Sequence, residues 1–299
     1  MTYASGVRAS LAIVIMTAGG AAACGDAAEE DAPAASSTMQ EWKWRGHGPR
    51  GRDRLVVPLH ERVGGRTYAE WGAKLWTTVY AEPRANNPIE DPDGTHCAER
   101  QPRGKVWFLH RNFGGTTERS CRIPHGKYLF VPLVDAFHDY PCPDPSFKPA
   151  PRQSLRRFLT DGYGSIPGAN DLIDPFTILG AEVDGKAIPD VARYRSASQL
   201  VDFKADESWQ TLDPCVTGKR QKAVAAGYWL LLKPLPPGPH DLHFHAEMPG
   251  CAIDVTYHLD VEPRWKAKSW NDELDDETDD ETDDETDDEH EHEHRIVPD

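Results

Sequence analysis

Residues 228–261 constrain the fold more than any other part of the chain. Tyr228 to Leu232 (YWLLL) is apolar at every position, as a strand covered on both faces must be. The run Leu235-Pro236-Pro237-Gly238-Pro239 then forces a turn. Beyond it Leu242, Phe244 and Ala246 alternate with His243, His245 and Glu247. Ile253, Val255, Tyr257, Leu259 and Val261 alternate in the same way with Asp254, Thr256, His258 and Asp260. A period of two sends one set to a core and the other to solvent. Three such strands in a row imply a mostly β domain, an antiparallel β-sandwich of jelly-roll or immunoglobulin-like type.

The upstream signals agree. Tyr68, Trp71, Leu75 and Val79 recur at helical spacing between Thr67 and Tyr80, Trp76 widens the stripe, and Pro83 closes it. Val106 to Leu109 and Tyr128 to Val134 read as strands bounded by glycine and proline, and Ser154 to Asp161 as a short helix. Phe176 to Val183 and Lys186 to Ile188 make a hairpin around Asp184-Gly185, which accepts positive φ cheaply. The sequence thus predicts a β-sandwich with one or two short packed helices over residues 61–264.

The flanks have other characters. Residues 1–23 read as an export signal: Arg8, an apolar run from Leu11 to Met16, and Ala21-Ala22-Ala23 before Cys24. Cysteine directly after small residues marks Cys24 as a lipidation site, so the expected partner is a membrane reached through that lipid. Residues 24–60, rich in Ala, Ser, Gly, Pro and Arg, read as a flexible lipid-anchored linker even with Trp42 and Trp44 in it. Residues 265–299 form an acidic, histidine-bearing tail. Between Asp272 and Glu293 stand 16 carboxylates and no Lys or Arg, which equals the whole net charge of -16. Such a run repels itself and is expected to be disordered. The remaining chain is neutral, which argues against nucleic acid as a partner.

Export implies an oxidising compartment, where Cys97, Cys121, Cys142, Cys215 and Cys251 should pair and leave one thiol over. Cys97 and Cys121 flank the strand at Val106 and are the first choice for a disulfide. The pairing among Cys142, Cys215 and Cys251 stays open. No CxxC is present, so zinc-knuckle and thioredoxin chemistry are not expected.

Several motifs occur together: Trp71, Trp76, Asn87-Pro88, Asp93-Gly94, Cys97, Gln101, Gly104-Lys105-Val106-Trp107-Phe108-Leu109, Arg119-x-Cys121-x-Ile123-Pro124 and Gly126-Lys127. Later come Gly227-Tyr228-Trp229, Lys233-Pro234-Leu235-Pro236-Pro237-Gly238 and Asp254-Val255-Thr256-Tyr257-His258-Leu259. Over residues 68–261 the chain resembles a group of uncharacterised bacterial secreted proteins and lipoproteins. The resemblance implies a shared extracytoplasmic domain with a Cys97–Cys121 bridge, and no established activity. His125 and the acidic tail depart from that pattern.

The candidate chemistry is metal binding. His243 and His245 share a strand face, and pairing Leu242 and Phe244 with Val255 and Tyr257 brings His258 to it. Two imidazoles at i and i+2 with a third alongside suit zinc or copper, with Asp254 or Asp241 as oxygen ligands. The competing reading is that these histidines are half-buried and hydrogen-bonded, beside Leu230 and Leu232. In the tail, His290, His292 and His294 alternate with glutamate; that run suits zinc or nickel, and the carboxylates calcium. His290-Glu291-x-x-His294 matches a zinc-protease pattern that requires a rigid helix, which a charged tail does not supply. Asp91-Pro92-Asp93-Gly94-Thr95 resembles a phosphatase nucleophile loop, but without a buried strand before it an Asp-Gly turn explains it better. Asp135, His138 and Asp139 near Cys142 could form an acid–base cluster. No GxSxG or phosphate-binding loop is present. The favoured function is binding of a cell-surface or extracellular partner, or a structural role; metal binding comes second and an enzyme third.

Overall fold

A computed structural model describes residues 55–143, 145–161, 178–248 and 251–264. The export signal, Cys24, Trp42, Trp44 and the acidic tail with His290, His292 and His294 lie outside the described residues.

The first helix, α1 (Tyr68–Ala81), begins where the sequence places it, because Thr67 and Glu70 cap it reciprocally. The Glu70 amide donates to Thr67 Oγ1 at 3.3 Å and the Thr67 amide to Glu70 Oε2 at 2.7 Å. Glu82 then turns extended ahead of Pro83. The helix buries Tyr68, Trp71, Leu75, Trp76, Val79 and Tyr80.

Among the described residues, ten strands form two five-stranded sheets. They are β1 (Val106–Phe108), β2 (Gly115–Ile123), β3 (Tyr128–Tyr140), β4 (Ile178–Val183), β5 (Lys186–Ala187), β6 (Arg195–Ala197), β7 (Val201–Lys204), β8 (Arg220–Leu232), β9 (Gly238–Met248) and β10 (Cys251–Val261). Sheet one runs β1-β3-β8-β6 with β7 also on β8, and sheet two runs β2-β10-β9-β4-β5. One core joins the apolar residues of both sheets and α1. The short helix α2 (Leu155–Asp161) covers the end of β3 and β8 with Phe158 and Leu159. β4 and β5 form the expected hairpin, with Asp184 at φ 52° and Gly185 at φ 68°.

Three expectations are corrected. First, the sheets are mixed: β1 pairs β3 in parallel, and β2 pairs β10 in parallel. The chain leaves sheet one after β1, builds β2 in sheet two and returns, so β3 re-enters in the direction of β1. Second, β8 and β9 are not neighbours in one sheet. The proline-rich run after Leu232 carries the chain from sheet one to sheet two, so Leu230 and Leu232 do not lie beside His243 and His245. Third, the linker ends before residue 60. Val56 and Val57 are buried, the Val57 amide donates to Leu231 O at 2.8 Å, and the Lys233 amide donates to Leu55 O at 2.8 Å.

The interior holds two arginines on unlike partners. Arg119, 2% exposed, sits on β2 and donates to Asp91 O, His110 O and Ile89 O at 2.7–2.8 Å and to Tyr257 Oη at 3.0 Å. It ties the segment before Cys97 to sheet two. Arg111 instead meets a carboxylate: its Nε donates to Asp135 Oδ1 at 2.6 Å, while both Trp76 Nε1 and Trp229 Nε1 donate to Asp135 Oδ2 at 2.8 Å. Helix, β3 and β8 thus converge on one buried carboxylate. They approach closely there, since a Cβ at Gly72 would lie 2.6 Å from the Trp229 ring and one at Gly227 would lie 2.3 Å from Asp135 Cβ.

Cys97–Cys121 and Cys142–Cys215 are disulfides. Closing loops of 24 and 73 residues restricts the unfolded chain by about 3.5 and about 4.4 kcal/mol in the chain-entropy picture. None of the described cysteines is free, so the expected leftover thiol is not found among them. Two bridges in one domain are the mark of an oxidising, extracytoplasmic compartment. Among the described residues no helix is long and apolar enough to cross a membrane.

Candidate functional site

The outer face of sheet two gathers the polar half of four alternating strands. Asp254 of β10 lies opposite His245 of β9, Thr256 opposite His243, and His258 opposite Asp241. On the other side of β9, β4 sets Glu182 beside His243 and Gly180 beside His245. The inward residues Leu242, Phe244, Val255 and Tyr257 are fully buried, and this burial fixes which side the imidazoles take.

Asp254 is the centre of the face. His243 Nε2 stands 3.1 Å from its Oδ1 and His245 Nδ1 stands 3.3 Å from its Oδ2. His245 Nε2 also meets Glu247 Oε1 at 3.0 Å, and Glu182 Oε1 lies 3.9 Å from His243 Nδ1. Side chains here are one-quarter to two-fifths exposed, with His245 at 25%, Asp254 at 31% and His243 at 38%. Solvent or an ion therefore reaches them, while neighbouring strands still fix their directions. A Cβ at Gly180 would meet nothing within 4 Å, so the space beside His245 is open.

His258 is on the same face but turned to its own partner, Asp241 Oδ1, at 2.7 Å. The structure brings His243 and His245 to one carboxylate and leaves His258 on another. Both separations are those of hydrogen bonds, and His243, His245 and Asp254 do not each present a ligand atom within 4.8 Å of the other two. The two imidazoles address different oxygens, so a shared ion requires a ring rotation towards a common one.

The other sequence candidates fall elsewhere. Asp91 is buried, its Oδ1 accepting from the Gly94 amide at 3.0 Å and its Oδ2 from the His96 amide at 2.9 Å. Gly94, at φ 90°, lies so close to Ser120 that a Cβ there would be 2.2 Å from its carbonyl oxygen. This is a turn held by its own aspartate, as the sequence implies. Asp135, His138 and Asp139 do not form an acid–base cluster. Asp135 is held by Arg111, Trp76 and Trp229, and His138 Nδ1 donates to Leu159 O, 2.8 Å away. Burial drives the His138 imidazole down to about 4, so it is neutral at physiological pH.

Asp139 meets a group that sequence reading missed. Asp139, Asp213 and Cys215 offer polar atoms within 4.8 Å of one another, the one such trio among the described residues. Cys215 is spent in its disulfide, which leaves a buried carboxyl, Asp139, beside a half-buried one, Asp213. Gln221 Nε2 donates to Asp139 Oδ2 at 3.0 Å, and Tyr80 Oη donates to Asp213 Oδ2 at 3.0 Å. Burial, reinforced by the charge of Asp213, pushes the Asp139 carboxyl up to about 8; burial also raises Asp213. No spacing signal joins residues 139 and 213 in sequence; only the Cys142–Cys215 bridge could have hinted at it.

No family model matches the chain and no curated protein matches it. Among solved structures, "Solution Structure of Amebosin" is similar over 53% of this chain and 99% of that chain, at 8% identity and a TM-score of 0.18. At that score the likeness bears on neither fold nor function.

Proposed function

We propose that this chain is an exported cell-envelope lipoprotein, tethered through a lipid on Cys24, whose β domain works by binding. The ligand that best fits its surface is a divalent metal ion of the zinc or copper class, held by His243, His245 and Asp254 on the outer face of sheet two. The observation that carries this reading is the convergence of two strand-positioned imidazoles on one carboxylate. Glu182 and Glu247 flank them and add the negative charge that draws a cation to the face. Imidazole nitrogen with carboxylate oxygen is a donor set that zinc and copper accept and magnesium does not favour. The resemblance to secreted proteins and lipoproteins agrees with the export and tethering parts of the proposal.

Metal content of the full chain, purified without an affinity tag and dialysed, tests it. About one equivalent of zinc or copper is expected, lost in His243→Ala/His245→Ala and kept in His290→Ala/His292→Ala/His294→Ala. Metal that survives the first double variant and vanishes in the tail variant would put the binding in the tail instead. Tethering is checked separately: Cys24→Ser should move the protein from the membrane fraction to the soluble one.

A further inference from the structure

We propose that Asp139 and Asp213 share a single proton at neutral pH and act as a latch on the Cys142–Cys215 turn that alkali releases. Asp139 lies near the end of β3, 2% exposed, and Asp213 follows the 3-10 helix Glu207–Thr211. Their carboxyls come within 4.8 Å of each other. Two carboxylates this close, one buried and one half-buried, repel strongly when both are charged, whereas one proton between them removes the repulsion.

Among the described residues no cation bears on the pair. From α1, Tyr80 donates a hydroxyl to Asp213; from β8, Gln221 donates an amide to Asp139. The charge that bears on Asp139 is that of Asp213 itself. His138, the next residue along β3, is engaged at Leu159 O. Lys222 on β8 is paired with Asp202 at 2.7 Å. Gln221 leaves no doubt about its orientation, because its Oε1 accepts from both the amide and the hydroxyl of Thr217 at 2.8 Å. Its Nε2 therefore faces Asp139 Oδ2, Pro141 O and Cys215 O together. The amide joins the carboxyl pair to both ends of the disulfide.

What the proton holds is the turn that carries Cys215. Asp213 Oδ1 accepts from the Cys215 amide at 3.0 Å while its Oδ2 takes the Tyr80 hydroxyl. Once both carboxyls are charged, Asp213 is driven off Asp139, and the turn that it organises leaves with it. The disulfide keeps the segment tethered but open to solvent.

The rate of reduction of each disulfide by a phosphine reductant, across pH 7 to 9, reads this directly. Cys97–Cys121 serves as the internal reference, since it is distant from the pair in sequence and held by other elements. The expected result is a rise of about tenfold in the Cys142–Cys215 rate relative to the reference between pH 7 and 9, as one proton leaves a group near 8. Asp139→Asn, which keeps an acceptor for Gln221 and cannot ionise, should flatten that rise. A wild-type ratio that does not change with pH, or an equal rise in Asp139→Asn, overturns the proposal. Should the variant fail to fold, carboxyl carbon resonances of the wild-type protein decide: one carboxyl titrating near 8 supports the latch, and all titrating near 4 ends it. Calcium chloride at pH 7.5 that slows reduction of the wild type alone would show that a cation, not a proton, joins the pair.

Discussion

Asp135 and Asp139 stand on the same face of β3, two strand periods apart, and meet opposite environments. Opposite Asp135, α1 presents Trp76; one turn later it presents Tyr80 to Asp213, beside Asp139. Asp135 receives a guanidinium and two indole N–H groups, so both oxygens are occupied by donors and its charge is matched. Asp139 receives a neutral amide and a second acid. The lesson is that burial alone does not set what a carboxyl does. A charged partner turns it into a joint between three elements, and a like-charged partner turns it into a proton store.

The comparison breaks most sharply at Asp135. Asp135→Ala leaves Arg111 charged and two indole N–H groups without their acceptor, and should cost about 3–5 kcal/mol in urea unfolding. A loss under about 1 kcal/mol would mean that the three elements are held by packing alone. Next comes the acid limb of the stability profile. Burial holds His110 down at about 3 and His138 at about 4, so the unfolded chain takes up two protons below about pH 6.5 that the folded one refuses. The carboxyl pair works in the other direction, because the folded state keeps a proton there that the unfolded state has released above about pH 4. The net uptake on unfolding therefore grows from near zero at pH 6.5 to about one proton near pH 5, and stability should fall ever more steeply across that range, reaching about 1.4 kcal/mol per pH unit at its lower end. Equilibrium unfolding at each pH measures it; a flat acid limb would place these imidazoles in contact with water. The smallest effect is expected from Tyr80→Phe, which removes the hydroxyl from Asp213 and should cost about 1 kcal/mol, measured by thermal unfolding at pH 6.5.

Much of the architecture was legible because it follows periodicity. The helical stripe of Tyr68, Trp71, Leu75 and Val79, the alternation of β9 and β10 and the Asp184-Gly185 turn each state their structure locally. β2 was missed because Arg119, a charged residue, occupies an inward position and breaks the alternation that Cys121 and Ile123 continue. Sheet membership was misread between β8 and β9, since a proline turn reads the same whether it joins neighbours or crosses between sheets. On the candidate site, the sequence supplied His243, His245 and Asp254, which the strand register alone aligns. Glu182 came from a strand 60 residues earlier, and Asp213 from a segment brought in by a disulfide. Neither leaves a mark in local spacing, because tertiary contact sets both.

The position of β10 carries a consequence for how the chain is made. It lies between β2 and β9, and its parallel partner β2 precedes it by more than a hundred residues. Until β10 arrives, β2 is therefore cut off from the other strands of sheet two. Pairings of such long sequence separation close slowly, so a ribosome or a translocation pore releases most of the domain before β2 can find its place. A chain built this way stays open through most of its synthesis and acquires its shape only once β10 is free to pair.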